Sequence, residues 1–225
     1  MRVPGESLAR KMAALEGMGF RRVDPSLPTG DTVPVAGDRY RITASRPSMG
    51  TLVSVTGIHG SVALIQEAAG LAFEEMDRLV RLLNRYDSAS ALSALNAEGR
   101  MKGPPPELLE VVREASSHFH LSGGAFDATV QPLVDLFRTE AGHGRPFDSR
   151  VREVLTRVDG GRVEASPSSI RLGLPGMGLT LDGIAKGFIV DRMAEMVRSQ
   201  GLENYLVEAG GDVRCAGGRG DGGGW

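Results

Sequence analysis

From Ser61 to Arg85, the apolar residues Ile65, Ala69, Ala72, Met76, Leu79, Val80 and Leu83 recur at helical spacing. Glu74, Asp77, Arg78, Arg81 and Arg85 lie mostly off that stripe, so the pattern predicts a long amphipathic helix. The same period predicts helices over Glu107–Leu121, introduced by Pro104 to Pro106, over Thr129–Arg138, and from Ile184, where Phe188, Met193, Met196 and Val197 follow. Shorter helices are predicted over Ser149–Val158 and after Ser90, whose hydroxyl suits an N-cap and whose helix turns Leu92 and Leu95 inward. Alternation of apolar and polar residues predicts strands at Tyr40–Ser45 and Thr51–Thr56. Pro47 lies between these two strands and has no ladder donor, which predicts an edge, bulge or bend. Further strands are predicted at Val163–Ala165, Ser169–Leu172, Met177–Leu181 and Tyr205–Val207, the first three as a meander broken at Gly160-Gly161 and Pro175-Gly176.

The chain is organised around Leu179 to Asp212, which reads as strand, tight turn, helix, strand and glycine turn. Gly201 stops the helix, with Arg198 in its last turn where a cation suits the dipole. A glycine turn opening a helix offers free backbone N–H groups to an anion such as phosphate. Lys186, in the first turn, would add a cation. Asp182, at the turn, could hold a hard cation that bridges phosphates, or serve as an ordinary N-cap. The elements together predict an α/β chain in the mixed, α+β sense: an antiparallel or mixed sheet with long helices on one face. Residues 1–38 read as a peripheral leader, with a short helix over Ser7–Met18 and a turn-rich linker from Pro25 to Asp31, and the folded domain is expected over 39–225.

With 225 residues, 41% hydrophobic and 24% charged, the chain fits one large or two small globular domains. A net charge of −2 gives no electrostatic case for nucleic acid or an anionic membrane. Cys215 is the single cysteine, which excludes an internal disulfide. No apolar run is long enough for a transmembrane segment. The N-terminus has neither a secretory apolar core nor a lipid-attachment cysteine, and the direct reading of localisation is cytoplasmic.

Two further stretches carry candidate chemistry. Tyr86 sits at a loop mouth, where its ring could stack on a planar ligand or simply pack. In Ser122-Gly123-Gly124-Ala125-Phe126-Asp127, two glycines let the backbone pass close to a ligand, Phe126 offers a ring and Asp127 a carboxylate that could equally cap the next helix. His118 and His120 are two apart on a helix, face different ways and make a poor metal pair. Arg219-Gly220-Asp221 is read as a chance tripeptide.

Several of these stretches resemble the FAD:protein FMN transferases, the ApbE family. Met49-Gly50-Thr51 resembles its N-terminal strand motif. Tyr86, Ser90, Leu92, Ser93 and Asn96 resemble its Y-x-x-x-S-x-L-S-x-x-N run, and Ser122 to Leu133 its SGGAFDPTV-x-P-L motif. Asp182 to Phe188 with Asp191 resembles GGIAKGY-x-x-D, and Val207 to Asp212 its closing GGD run. One such motif is weak; their common order and spacing are specific. The resemblance implies a T-fold-like architecture and an enzyme that binds FAD with magnesium. It would move FMN onto a threonine or serine hydroxyl of a target flavoprotein, with release of AMP.

By position, the resemblance implies that Met49, Tyr86, Ala125, Phe126 and Asp127 contact FAD and that the carbonyl of Gly183 is a metal ligand. The family commonly has an acidic residue at the position of Thr180, whereas here the carboxylate is at Asp182, so both are candidates for the flavin nucleotide; Phe188 replaces a tyrosine. Family members continue well past the GGD run into a His-x-x-Asp-Pro-x-x-Gly motif, with a histidine suspected of base chemistry, and an Asp and Thr/Ser pair that complete the metal site. None of this is found before Trp225, so the chain is expected to be C-terminally truncated, less stable than a full family domain, and without an assignable catalytic residue. The alternatives are a non-catalytic flavin-binding remnant and a metal-dependent hydrolase giving FMN and AMP. The family often works in the cell envelope, which stands against the cytoplasmic reading.

Overall fold

A computed structural model describes residues 29–140 and 148–225. The helix expected over Ser7–Met18 falls outside these residues, and within the stretch read as a leader the sheet begins at Thr29.

The alternating segments build a five-stranded antiparallel sheet in the order β1-β2-β3-β7-β8. Its strands are β1 (Thr29–Val35), β2 (Arg39–Ser48), β3 (Thr51–His59), β7 (Tyr205–Ala209) and β8 (Asp212–Ala216). Met49 and Gly50 both have positive φ, 50° and 74°, the signature of a tight turn that follows the right-handed strand twist. Pro47 pairs with Leu52, one step in from the turn, where an antiparallel ladder does not use its N–H. On the other side, β1 reaches as far as Ser45 among the described residues, so the missing donor at Pro47 meets no described strand.

The long apolar stripe forms α1 (Val62–Leu83), with Ser61 accepting the Leu64 N–H as N-cap. Ile65, Ala69, Ala72, Met76 and Leu79 are buried against β3 and the later helix α6 (Ala185–Ser199). Arg46 reaches inward from β2, donates to the Phe73 carbonyl (2.9 Å), pairs with Asp77 (2.5 Å) and lies over the Phe73 ring. One face of the sheet is therefore covered by α1 and α6, as the sequence pattern predicts.

The remaining described residues carry the other elements. They are α2 (Ala91–Glu98), capped by Ser90, then β4 (Arg100–Lys102), α3 (Pro106–Leu121), α4 (Gln131–Glu140) and α5 (Asp148–Leu155). β5 (Val163–Ser166) and β6 (Ser169–Leu172) complete a small antiparallel sheet in the order β4-β6-β5.

Met177–Leu181 is not a strand. It pairs with no neighbouring ladder among the described residues. The Asn96 side chain takes both hydrogen bonds of Leu179, and the Thr180 N–H goes to the Ala128 carbonyl at 2.8 Å. A primary amide has the donor and acceptor of a peptide group, so one side chain does the work of a strand edge. No helix among the described residues is long and apolar enough to cross a membrane.

Candidate functional site

The turn Leu181-Asp182-Gly183-Ile184 is fixed from inside. Leu181 is buried, and its carbonyl accepts from both the Ile184 and Ala185 N–H groups, at 2.9 and 2.7 Å, which starts α6. Thr180 is buried too, and its hydroxyl accepts from the Asp182 N–H at 3.3 Å. Asp182 does not cap α6, whose N-cap position is Ile184 and carries no side-chain cap bond. Its carboxylate turns the other way and accepts from Arg85 Nε at 2.9 Å. The reason is electrostatic: a guanidinium with a 4% exposed side chain stands beside it and needs an anion.

Arg85 is the residue that sequence reasoning missed. It follows α1 and was read as lying off the apolar stripe. In the fold its guanidinium also donates to the Tyr86 hydroxyl at 2.6 Å and to Asp135 at 3.4 Å, and lies 4.2 Å from the Tyr86 ring centre. Burial alone would lower its pKa; Asp182, Tyr86 and Asp135 outweigh that and raise it, so the cation is secure at any working pH. The only sequence signal was an arginine directly preceding the candidate aromatic.

Phe126 comes to the same turn from the glycine loop. Its N–H is held by the Ser122 hydroxyl at 2.9 Å, and its ring is edge-on to His118. The ring backs onto Gly183, where a Cβ would lie 3.3 Å from it. A side chain there would press on the ring, so the close approach favours glycine. Tyr86, Asp182, Gly183, Phe126 and, through the chain, Ala125 gather in one place.

Four other candidates sit differently. Lys186 is on the first turn of α6, as read from sequence, but its ammonium pairs with Asp212 at 3.1 Å. Met49 is at the β2–β3 turn, whose neighbour is the Gly210-Gly211 turn just before Asp212. Asp127 turns inward: it accepts from the Thr129 N–H (2.7 Å) and hydroxyl (2.6 Å) and from the Gly160 N–H (3.1 Å). Thr180 is likewise engaged in the turn itself.

An open groove of about 660 Å³ runs between α3 and α6, with Glu110, His118, Gly183, Ile184, Asp191 and Asp212 on its walls. Its acidic character is largely neutralised from within. Arg192 pairs with Glu110 and Glu195 and lies over the Phe188 ring; Asp191 faces Arg214 at 3.4 Å, and Asp212 faces Lys186. A second cleft, about 560 Å³, is lined by Arg85, Tyr86, Asn96, Gln131 and Asp135.

The site suits a planar ligand better than it suits a metal. An exposed Tyr86 ring, the Phe126 ring and a side-chain-free backbone at Gly183 are what a flat ligand and a close backbone approach require. A hard divalent cation wants six or more oxygens. Among the described residues no three His, Cys, Asp or Glu side chains converge on one point. The Gly183 carbonyl alone does not make a magnesium site, and both nearby carboxylates, Asp182 and Asp212, are already ion-paired.

The model of the ApbE family matches residues 49–225. A FAD:protein FMN transferase of Vibrio cholerae is 33% identical over 197 residues, covering 82% of this chain and 57% of the relative. One of Klebsiella pneumoniae is 32% identical over 155 residues, covering 62% and 48%. The structure of the Vibrio cholerae flavin transferase ApbE superposes with a TM-score of 0.70 at 27% identity, over 88% of this chain and 63% of that one. The apo flavinyl transferase ApbE of Pseudomonas stutzeri superposes at 0.77 with 22% identity, which speaks for the fold. This chain spans about half the length of the curated relatives it matches. With the match running from the Met49 turn to Trp225, through every motif that builds the site, the chain belongs to the ApbE family.

Proposed function

We propose that this chain binds FAD and, as part of a FAD:protein FMN transferase, moves FMN onto a threonine or serine hydroxyl of a target flavoprotein with release of AMP. The observation that carries the reading is the convergence of Tyr86 and Phe126, distant in sequence, on the Asp182-Gly183 turn, within a family match that covers most of the chain. In the reaction, the acceptor oxygen attacks the phosphorus on the FMN side of the pyrophosphate. The bond from that phosphorus to the bridging oxygen breaks, the AMP phosphate leaves with the electron pair, and the hydroxyl proton passes to solvent or a base. Such transfers depend on positioning and on stabilising charge at the phosphoryl oxygens. This chain would contribute the ring contacts of Tyr86 and Phe126, the turn at Gly183, and Lys186 as a cation next to the groove. Magnesium dependence is part of the reading. Gly183 would offer one carbonyl ligand, and the remaining oxygens would come from outside the described residues.

The lack of a three-ligand cluster among the described residues favours a second reading, a flavin-binding chain that does not itself complete transfer. Calorimetric titration with FAD, with and without magnesium, separates them. Micromolar binding that needs magnesium supports the transferase, and flavin fluorescence appearing on a threonine-bearing acceptor, with one AMP per flavin, completes the case. Binding indifferent to magnesium, with no transfer, supports the second reading. No binding by the folded chain overturns both.

A further inference from the structure

The geometry points to Arg85 as a positioning residue of the nucleotide site, one that orients Tyr86 and Asp182 so that a single face of the Tyr86 ring is presented to a planar ligand. The inference rests on the FAD-binding reading above and adds a residue to it.

Tyr86 is 63% exposed, so packing does not hold its ring. Two contacts from Arg85 do: the hydrogen bond from Nη2 to the phenol oxygen (2.6 Å) and the guanidinium over the ring at 4.2 Å. A planar cation stacked on one face leaves the other for a ligand. A second cation, Arg138, also lies over the ring, farther off at 5.8 Å and at the limit of such a contact.

Arg85 is itself over-determined. Its side chain is 4% exposed, and it is held by Asp182 at 2.9 Å and by Asp135 at 3.4 Å. Asp135 in turn accepts from Gln131 Nε2 at 2.6 Å and faces Arg138 at 3.4 Å. The end of α1, the α6 turn and α4 are thereby tied to one guanidinium. The Asp182 carboxylate, although 56% exposed, is fixed at the edge of the site instead of rotating freely. Ordering Tyr86 and Asp182 before the ligand arrives removes that cost from binding.

Lysine cannot reproduce this arrangement: it keeps the charge for Asp182 but has neither the planar stack on Tyr86 nor a fork that reaches three partners. The test is FAD titration of the wild type, Arg85→Lys and Arg85→Ala, followed by flavin fluorescence, with melting temperatures recorded in parallel. The expected result is that Arg85→Lys melts close to the wild type yet binds FAD roughly tenfold more weakly, with less quenching of the flavin, and that Arg85→Ala binds more weakly still. If Arg85→Ala does not fold, Arg85→Lys alone decides. Wild-type affinity and quenching in Arg85→Lys would overturn the inference while leaving the FAD reading intact. No FAD binding by the folded wild type would overturn that reading, and the inference with it.

Discussion

Asn96 and Leu179 exchange two hydrogen bonds: the Asn96 side-chain N–H donates to the Leu179 carbonyl at 2.9 Å, and the Leu179 N–H donates to Asn96 Oδ1 at 2.7 Å. Leu179 is buried, so nothing else in the neighbourhood replaces that amide cheaply. The pair holds the segment that delivers Thr180, Asp182 and Gly183 to the site. Asn96→Ala is expected to leave a buried donor and acceptor unpaired and to cost about 2–4 kcal/mol. Asn96→Asp keeps the acceptor but sets a carboxylate against a carbonyl and is expected to cost nearly as much. Urea unfolding of the three proteins checks this; a loss below about 0.5 kcal/mol in both variants would be incompatible with the segment depending on that pair.

Asp127 separates a structural role from a ligand contact. Its carboxylate caps the short turn at Ala128–Val130 and also holds the Gly160 N–H, joining two loops. Asp127→Ala is expected to cost about 2–4 kcal/mol, the cap and the stranded Gly160 donor together. Any loss of FAD binding in this variant is expected to come with a lower melting temperature. A loss of binding at unchanged melting temperature would mean that Asp127 meets the ligand directly.

Much of this was legible in the sequence, because the helices are carried by repeated apolar spacing and their caps are local. Ser61, Ser90 and the proline run before α3 mark helix starts that depend on near neighbours alone. What could not be read depends on residues far apart in the chain. Leu179 takes its partner from Asn96, 83 positions away, so the segment forms no ladder with any described strand. Asp182 looked like a cap because turn aspartates usually are, but Arg85, 97 positions earlier, claims it. Arg85 itself follows a helix whose charged residues mostly face solvent, and it becomes buried only once α4 and the α6 turn close over it.

Gly210 closes the β7–β8 turn with φ 57°, and a Cβ there would lie 2.6 Å from Thr51 Oγ1. Gly50, in the adjoining turn, also has positive φ but open space around it. The two replacements by alanine therefore share the left-handed backbone cost of about 1–2 kcal/mol, and only Gly210→Ala adds a clash with the neighbouring strand. Gly210→Ala is expected to be the more destabilising by at least about 1 kcal/mol. Equal losses in thermal or urea unfolding would show that the β2–β3 and β7–β8 turns are less tightly apposed than this.

The tie between α1 and α3 should depend on pH in a defined direction. Arg78 donates to Glu75 at 2.7 Å and to Glu107 at 2.6 Å, and Glu107 sits in the first turn of α3, where a carboxylate also suits the helix dipole. Partial burial pushes the Glu107 pKa up, but its own backbone N–H and Arg78 pull harder, and the result is a value below the ordinary glutamate range. A carboxyl whose folded pKa is depressed contributes stability that is fully present above its unfolded pKa and is lost as pH falls through the folded one. Glu107→Gln is therefore expected to be less stable than the wild type by about 1 kcal/mol near neutral pH. The gap should narrow as acid protonates Glu107 in the wild type and close below its folded pKa, where both proteins carry an uncharged side chain. Melting temperatures of the two proteins between neutral pH and the onset of acid unfolding decide the matter. A gap that stays constant on acidification would mean that the glutamate acts by shape and not by charge.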